Sequence, residues 1–205
     1  MSDARAGVLI LMAAAQLCAC GGGKPAPAAG TAMEAKVSEN DTKSGLETAT
    51  LAGGCFWGME DILRKLPGVE GTVVGYTGGH TDNPTYEDVH AGTTGHAESI
   101  QLRFDPKKIS YGQLLDMFFR MHDPTTPNRQ GNDIGTQYRS AIFYHSEAQK
   151  LEAEAAVKRA RDSGRWKRPI TTEIVPAGKF WPAEEYHQDY LQKHPGGYTC
   201  HYIRD

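Results

Sequence analysis

The order and period of the apolar positions predict an α+β protein: a mixed sheet with helices packed on it and a long, loop-like C-terminal tail. Three observations carry this. Segments with strand character alternate with segments of helical period. Ser-x-x-Gln pairs mark helix starts. Gly- and Pro-rich stretches separate the elements. The order is strand, helix, strand, strand, helix, strand, then a further helix and strand. Its first six elements fit a split βαβ, ferredoxin-like layer, with the strand order left open.

The first strand, Ala49-Thr50-Leu51-Ala52, feeds Gly53-Gly54-Cys55. Met59, Ile62, Leu63 and Leu66 then keep the spacing of one helical face, and Pro67-Gly68 stops it. Glu60 and Asp61 in a first turn, and Arg64 and Lys65 in a last, suit the helix dipole. Cys55 is therefore expected where strand becomes helix. Backbone N–H groups there favour a thiolate, the bare glycines admit another molecule, and Phe56 and Trp57 wall an apolar pocket. A small buried hydrophobe is the other reading of the position.

Val69 to Tyr76 reads as a Gly-punctuated strand, and Thr77 to Thr94 as a long loop carrying His80, Tyr86 and His90. Ala97 to Phe104 alternates, with Ile100, Leu102 and Phe104 on the apolar face and Glu98 in register with them. A carboxyl there is either a proton holder with a raised pKa or a wet strand end paired to a cation. Ser110 and Gln113 cap a helix through Leu114, Leu115, Phe118 and Met121 that stops at His122-Asp123-Pro124. A polar loop, Thr125 to Gln137, leads into a strand from Tyr138 to Tyr144. Ser146 and Gln149 form a second capping box for a charged helix ending near Ser163-Gly164. Thr171 to Val175 is expected as a strand and Ala183 to Lys193 as a helix. The tail from His194 to Tyr202 is loop-like and mobile by composition.

The 205 residues carry a formal charge of -3 and no basic cluster, so no nucleic-acid partner is expected. Four cysteines are too few for a disulfide scaffold. Arg5 precedes an apolar run, Gly7 to Ala15, too short to span a bilayer and suited to a signal peptide. That run ends in Leu17-Cys18-Ala19-Cys20, which resembles the bacterial lipoprotein box. By that resemblance residues 1–19 are a signal peptide and Cys20 bears lipid. A non-lipidated secretory signal is the alternative. Residues 20–45 form a flexible Gly/Pro/Ala linker, and 46–205 the folded domain. The expected location is the periplasmic face of a bacterial membrane, the outer membrane since Gly21 follows Cys20. The lipid is the only membrane contact.

No GxGxxG, P-loop, HExxH or paired zinc spacing is present, so no metal is expected. A helix-start cysteine, a carboxyl on an apolar face, loop tyrosines and a cysteine in the tail suit thiol redox chemistry. A cysteine hydrolase using His187 or His201 and a non-enzymatic lipoprotein binding oxidised envelope proteins are the rivals.

Gly54-Cys55-Phe56-Trp57-Gly58 resembles the signature of the A-type peptide methionine sulfoxide reductases. So do Gly75-Tyr76-Thr77-Gly78-Gly79, Pro84-Thr85-Tyr86, Gly95-His96-Ala97-Glu98, the stretch Asp133 to Ser140, Tyr186 to Tyr190, and Gly197-Tyr198-Thr199-Cys200-His201. The resemblance runs from about Leu51 to Arg204. It implies that Cys55 attacks the sulfoxide sulfur and that Glu98, helped by Tyr86 and Tyr138, protonates the oxygen. Phe56 and Trp57 would hold the S-methyl group and select the S epimer, and Asp133 would orient polar groups. Cys200 would close a disulfide on the Cys55 sulfenic acid, reset by a thioredoxin-like dithiol protein. Substrates would be oxidised proteins, with free methionine sulfoxide left open. No cofactor is implied, and nothing demands more than a monomer.

Overall fold

The structure, a computed structural model, describes residues 45–204. The signal peptide, most of the linker and Cys20 lie outside the described residues. In chain order the elements are β1 (Glu47–Gly53), α1 (Phe56–Leu63), β2 (Val69–Thr77), α2 (Tyr86–His90), β3 (Ala97–Phe104) and α3 (Tyr111–Met121). Then come the short strands β4 (Arg129–Gln130) and β5 (Asp133–Ile134), a 3-10 turn (Thr136–Tyr138), β6 (Ser140–Tyr144) and α4 (Glu147–Asp162). β7 (Glu173–Pro176), β8 (Trp181–Pro182) and α5 (Tyr190–Lys193) complete the order.

One sheet runs β7-β6-β1-β3-β2-β8. The neighbours in its central run, β6-β1-β3-β2, are all antiparallel. That is the split βαβ layout, with α1 and α3 as the crossovers. β7 extends it in parallel beside β6, and β8 caps β2. Helices α1 and α3 bury Met59, Leu63, Leu114, Leu115 and Phe118 against Leu51, Ile100, Leu102 and Phe104. Each such side chain contributes about 1.5–3 kcal/mol of transfer free energy. Ser110 and Gln113 form the reciprocal capping box expected for α3.

Several local expectations are corrected. Helix α1 starts at Phe56, directly after Cys55, so no acidic residue lies in its first turn and no basic one in its last. Glu60 instead faces inward, where it accepts the Thr72 hydroxyl and the Asp189 N–H. The Thr77 to Thr94 loop contains α2, started by a Thr85–Asp88 capping box. Tyr138 lies in the 3-10 turn, and the strand begins at Ser140. Gln149 bonds the His145 N–H rather than closing a box on Ser146. The helix expected from Ala183 shrinks to Tyr190–Lys193, because Asp189 turns left-handed at φ 55°. The tail has no helix or strand beyond α5 but is packed down: His201 is buried, and the Arg204 N–H bonds the Arg120 carbonyl.

Phe118 sits under the β1–α1 junction, where a Cβ on Gly53 would approach its ring to 2.9 Å. Phe118→Ala is expected to cost about 3–5 kcal/mol in urea unfolding, the range for an emptied buried aromatic site.

Candidate active site

Strand register delivers Cys55 to Glu98. β1 pairs β3 with Leu51 opposite Ile100. Carrying that register to the end of β1 brings Gly53 level with Glu98, with Cys55 just beyond. Cys55 caps α1, and the first helical N–H, that of Phe56, donates to Glu98 Oε2 at 3.2 Å. Glu98 is 3% exposed and shares its buried face with Ile100, Leu102 and Phe104. It is not a wet strand end. Burial pushes its carboxyl from 4.5 up to about 8, with the negative charge of Asp133 adding to this and the Phe56 N–H opposing it.

The thiol does not rest as the thiolate that the helix start suggests. Burial, then the Glu98 charge, push the Cys55 pKa well up, and the Trp57 N–H that favours the anion does not offset them. An eight-residue helix supplies a weak dipole against a dry pocket. The Tyr138 hydroxyl is kept protonated by burial and by Glu98, Tyr86, Asp133 and Cys55 around it. The Tyr86 hydroxyl is held up in the same way, by burial and Glu98. Both stay hydrogen-bond donors at neutral pH.

The expected aromatic wall is assembled from distant segments. Phe56 is buried against Tyr76, with ring centroids 5.9 Å apart, and against His187 at 5.1 Å. Trp57 stacks on Tyr190 at 3.7 Å and donates its indole N–H to His187 Nδ1. Tyr86 packs 4.7 Å from the same imidazole. Glu184 fixes this wall by accepting the Tyr76 hydroxyl and the Tyr86 backbone N–H. Asp133 accepts the Tyr198 hydroxyl at 3.0 Å, while its other oxygen is buried without a partner.

Cys200 joins this cluster. Its sulfur faces the backbone N–H of Cys55 and the Asp133 carboxylate, and burial first, then Asp133, push the thiol up to about 12. Both cysteines are free. The expectation that the glycines before Cys55 admit another molecule is corrected. A Cβ on Gly53 would meet Phe118 Cε2 at 2.9 Å and one on Gly54 would meet Gln130 Cγ at 2.6 Å; one on Gly58, past the cysteine, would meet His201 Nδ1 at 2.6 Å. They make room for this chain's own helix α3, loop and tail. His187 holds Trp57 and His201 bonds the Gly53 carbonyl, so neither is arranged as a hydrolase base for Cys55.

The family model for peptide methionine sulfoxide reductase matches residues 47–205. The chain belongs to that family. Peptide methionine sulfoxide reductase MsrA 2 of Rhodopirellula baltica is 57% identical over 158 residues, 77% of this chain and 92% of that one. Peptide methionine sulfoxide reductase MsrA of Methanoculleus marisnigri is 57% identical over 152 residues, 74% of this chain and 93% of its own. Among solved structures, reduced Mxr1 of Saccharomyces cerevisiae aligns with a TM-score of 0.75 at 43% identity, covering 79% of this chain and 94% of Mxr1. Mxr1 in complex with Trx2 aligns at 0.55 and 32% identity, over 79% and 92% of the two chains.

All of the sequence-derived site residues except Cys20 are thus gathered around one buried junction in this reductase. Sequence reasoning gave no role to Glu184, Tyr190 or Tyr198, and weighed His187 only as the base of a hydrolase. For His187 and Tyr190 the signal lay in the Tyr186 to Tyr190 stretch, where two tyrosines flank a histidine within the span that resembles the family. Glu98 also makes stability depend on pH. Its native carboxyl keeps a proton that the unfolded chain releases above 4.5, so its contribution is present below that value and is lost as pH rises through about 8. Glu98→Gln is expected to flatten the fall of the thermal midpoint across that window, read by calorimetry at several pH values.

Proposed function

We propose that this reductase removes oxygen from the S epimer of methionine sulfoxide in oxidised proteins. The buried, proton-bearing carboxyl of Glu98 beside Cys55 carries the reading. Phe56 and Trp57 take the S-methyl group, and Asp133 orients the polar flank. Glu98 gives its proton to the sulfoxide oxygen, with the Tyr86 and Tyr138 hydroxyls donating as charge grows there. The Cys55 sulfur attacks the sulfoxide sulfur, and its thiol proton replenishes Glu98. The protonated oxygen passes to the Cys55 sulfur as the bond between the two sulfurs breaks, so methionine leaves reduced and Cys55 is left as a sulfenic acid.

Cys200 then condenses with the sulfenic acid, giving a Cys55–Cys200 disulfide and water. A thioredoxin-like dithiol protein reopens that bond; the yeast relative that aligns as a complex with Trx2 supports this donor class. The protein works as a monomer. Residues 1–19 act as an export signal and Cys20 holds the lipid at the periplasmic face of the membrane, the outer membrane by its Gly21. No described helix is long and apolar enough to cross a membrane.

Cys55→Ser should abolish methionine release from a sulfoxide peptide given dithiothreitol, and retained activity refutes the assignment. Cys200→Ser should release one methionine per enzyme without reductant but fail to cycle with thioredoxin. For the parent chain, single-turnover release should fall above a pKa near 8 as Glu98 loses its proton. Glu98→Gln should remove that limb and slow release ~100- to 10,000-fold, the range for a lost general acid. Cys20→Ala should shift the protein from membrane to soluble fractions and abolish labelled-palmitate incorporation.

A further inference from the structure

The residues on either side of Cys200 both seat on the start of α1. His201 is 6% exposed. Its Nε2 lies 2.9 Å from the Gly53 carbonyl oxygen, which only accepts, so Nε2 carries the hydrogen. Nδ1 is then the acceptor, and it lies 3.5 Å from Cys200 Sγ. The Thr199 hydroxyl oxygen accepts the His201 backbone N–H at 3.1 Å, closing the turn around the cysteine. A Cβ on Gly58 would overlap the Thr199 hydroxyl and press on the imidazole, and one on Gly54 would come 3.3 Å from His201 Cε1.

We propose that His201 is a positioning residue for disulfide closure: a two-ended clip, docked in the hollow over Gly54 and Gly58, that ties the Cys200 thiol to the β1–α1 junction beside Cys55. This rests on the reading of Cys200 as the resolving thiol. Nδ1 takes the S–H hydrogen bond, which fixes the thiol rotamer and leaves the sulfur lone pairs to face Cys55. As the S–S bond forms, the Cys55 S–O bond breaks. The departing hydroxide takes up the Cys200 proton and leaves as water. The Cys200 sulfur is oxidised and the Cys55 sulfur reduced from the sulfenic level, so no outside oxidant enters. The imidazole acts neutral, its pKa lowered to about 4 by burial and by Arg204. The other titratable groups around the clip are His122, which couples to His201, and Asp133 and Cys55, which couple to Cys200.

The test follows both half-reactions in the full chain, mixed with an equimolar methionine sulfoxide peptide and no reductant. Methionine release is timed by chromatography, disulfide by non-reducing mass spectrometry, and sulfenic acid by dimedone trapping. In His201→Ala and in Gly58→Ala, release should keep the parental rate. Disulfide should form ~10- to 100-fold more slowly, the scale for a misplaced reacting group, and trapped sulfenic acid should accumulate. His201→Gln, whose amide can still reach the Gly53 carbonyl, should recover part of the rate. Disulfide closure at the parental rate in both His201→Ala and Gly58→Ala overturns the clip. So does an equal fall of release and closure, which marks general damage. A parent chain that releases no methionine overturns the proposed function itself.

Discussion

Burial of one carboxyl governs this molecule. Glu98 lies in β3, a central strand of the sheet, with the Phe56 N–H as its partner and Asp133 as its near charge. Leaving a charge uncompensated in such a place costs several kcal/mol, so retaining the proton is the cheaper state. The surroundings conform to that choice. The groups that face the carboxyl are tyrosine hydroxyls, a thiol and a backbone amide, none of which supplies a positive charge that would draw the proton off. A lysine or arginine here would hold the carboxylate ionised and destroy a proton donor.

The same burial decides the state of the sulfur. A helix start favours a thiolate, yet a neutral Glu98 and a neutral Cys55 share the dry junction. In the proposed mechanism reactivity then comes from coupling the two protons rather than from a standing anion. This arrangement protects the buried sulfur from indiscriminate oxidation, because the thiolate is the species that oxidants attack. It also makes the incoming sulfoxide oxygen the natural destination for the carboxyl proton.

Much of this was legible in the sequence because it is local. The alternation of Glu98 with Ile100, Leu102 and Phe104, and the stop-start punctuation around Cys55, are short-range patterns with direct physical meaning. The split βαβ succession of elements was legible for the same reason, whereas the strand order in the sheet was not. The missed pieces depend on contacts across the chain. Helix α2 hides in a Gly- and Pro-rich loop and rests on Glu184, which anchors its first N–H from nearly a hundred residues away. The long C-terminal helix fails because Asp189 turns left-handed to give its N–H to the buried Glu60. The neutral thiol was unreadable because local position reports the dipole but not the closure of the pocket.

The tail and the sheet divide the labour. In the proposed mechanism electrostatics at the sheet centre serves oxygen removal, whereas disulfide closure needs only that two sulfurs meet. Proximity of that kind is bought with backbone space rather than charge. Gly58 forgoes about 1 kcal/mol of helix propensity relative to alanine, and Gly54 holds a φ of +108° that other residues avoid. Neither concession makes sense for a bare substrate pocket: a methyl group on Gly54 would press on Gln130 and then on His201, and one on Gly58 on Thr199 and His201, rather than on a ligand. Both make sense where the chain's own terminus must lie flat against the nucleophile's helix. The glycines of the Cys55 signature are therefore as much a feature of the tail as of the cysteine, and the two ends of the folded domain constrain one another through them.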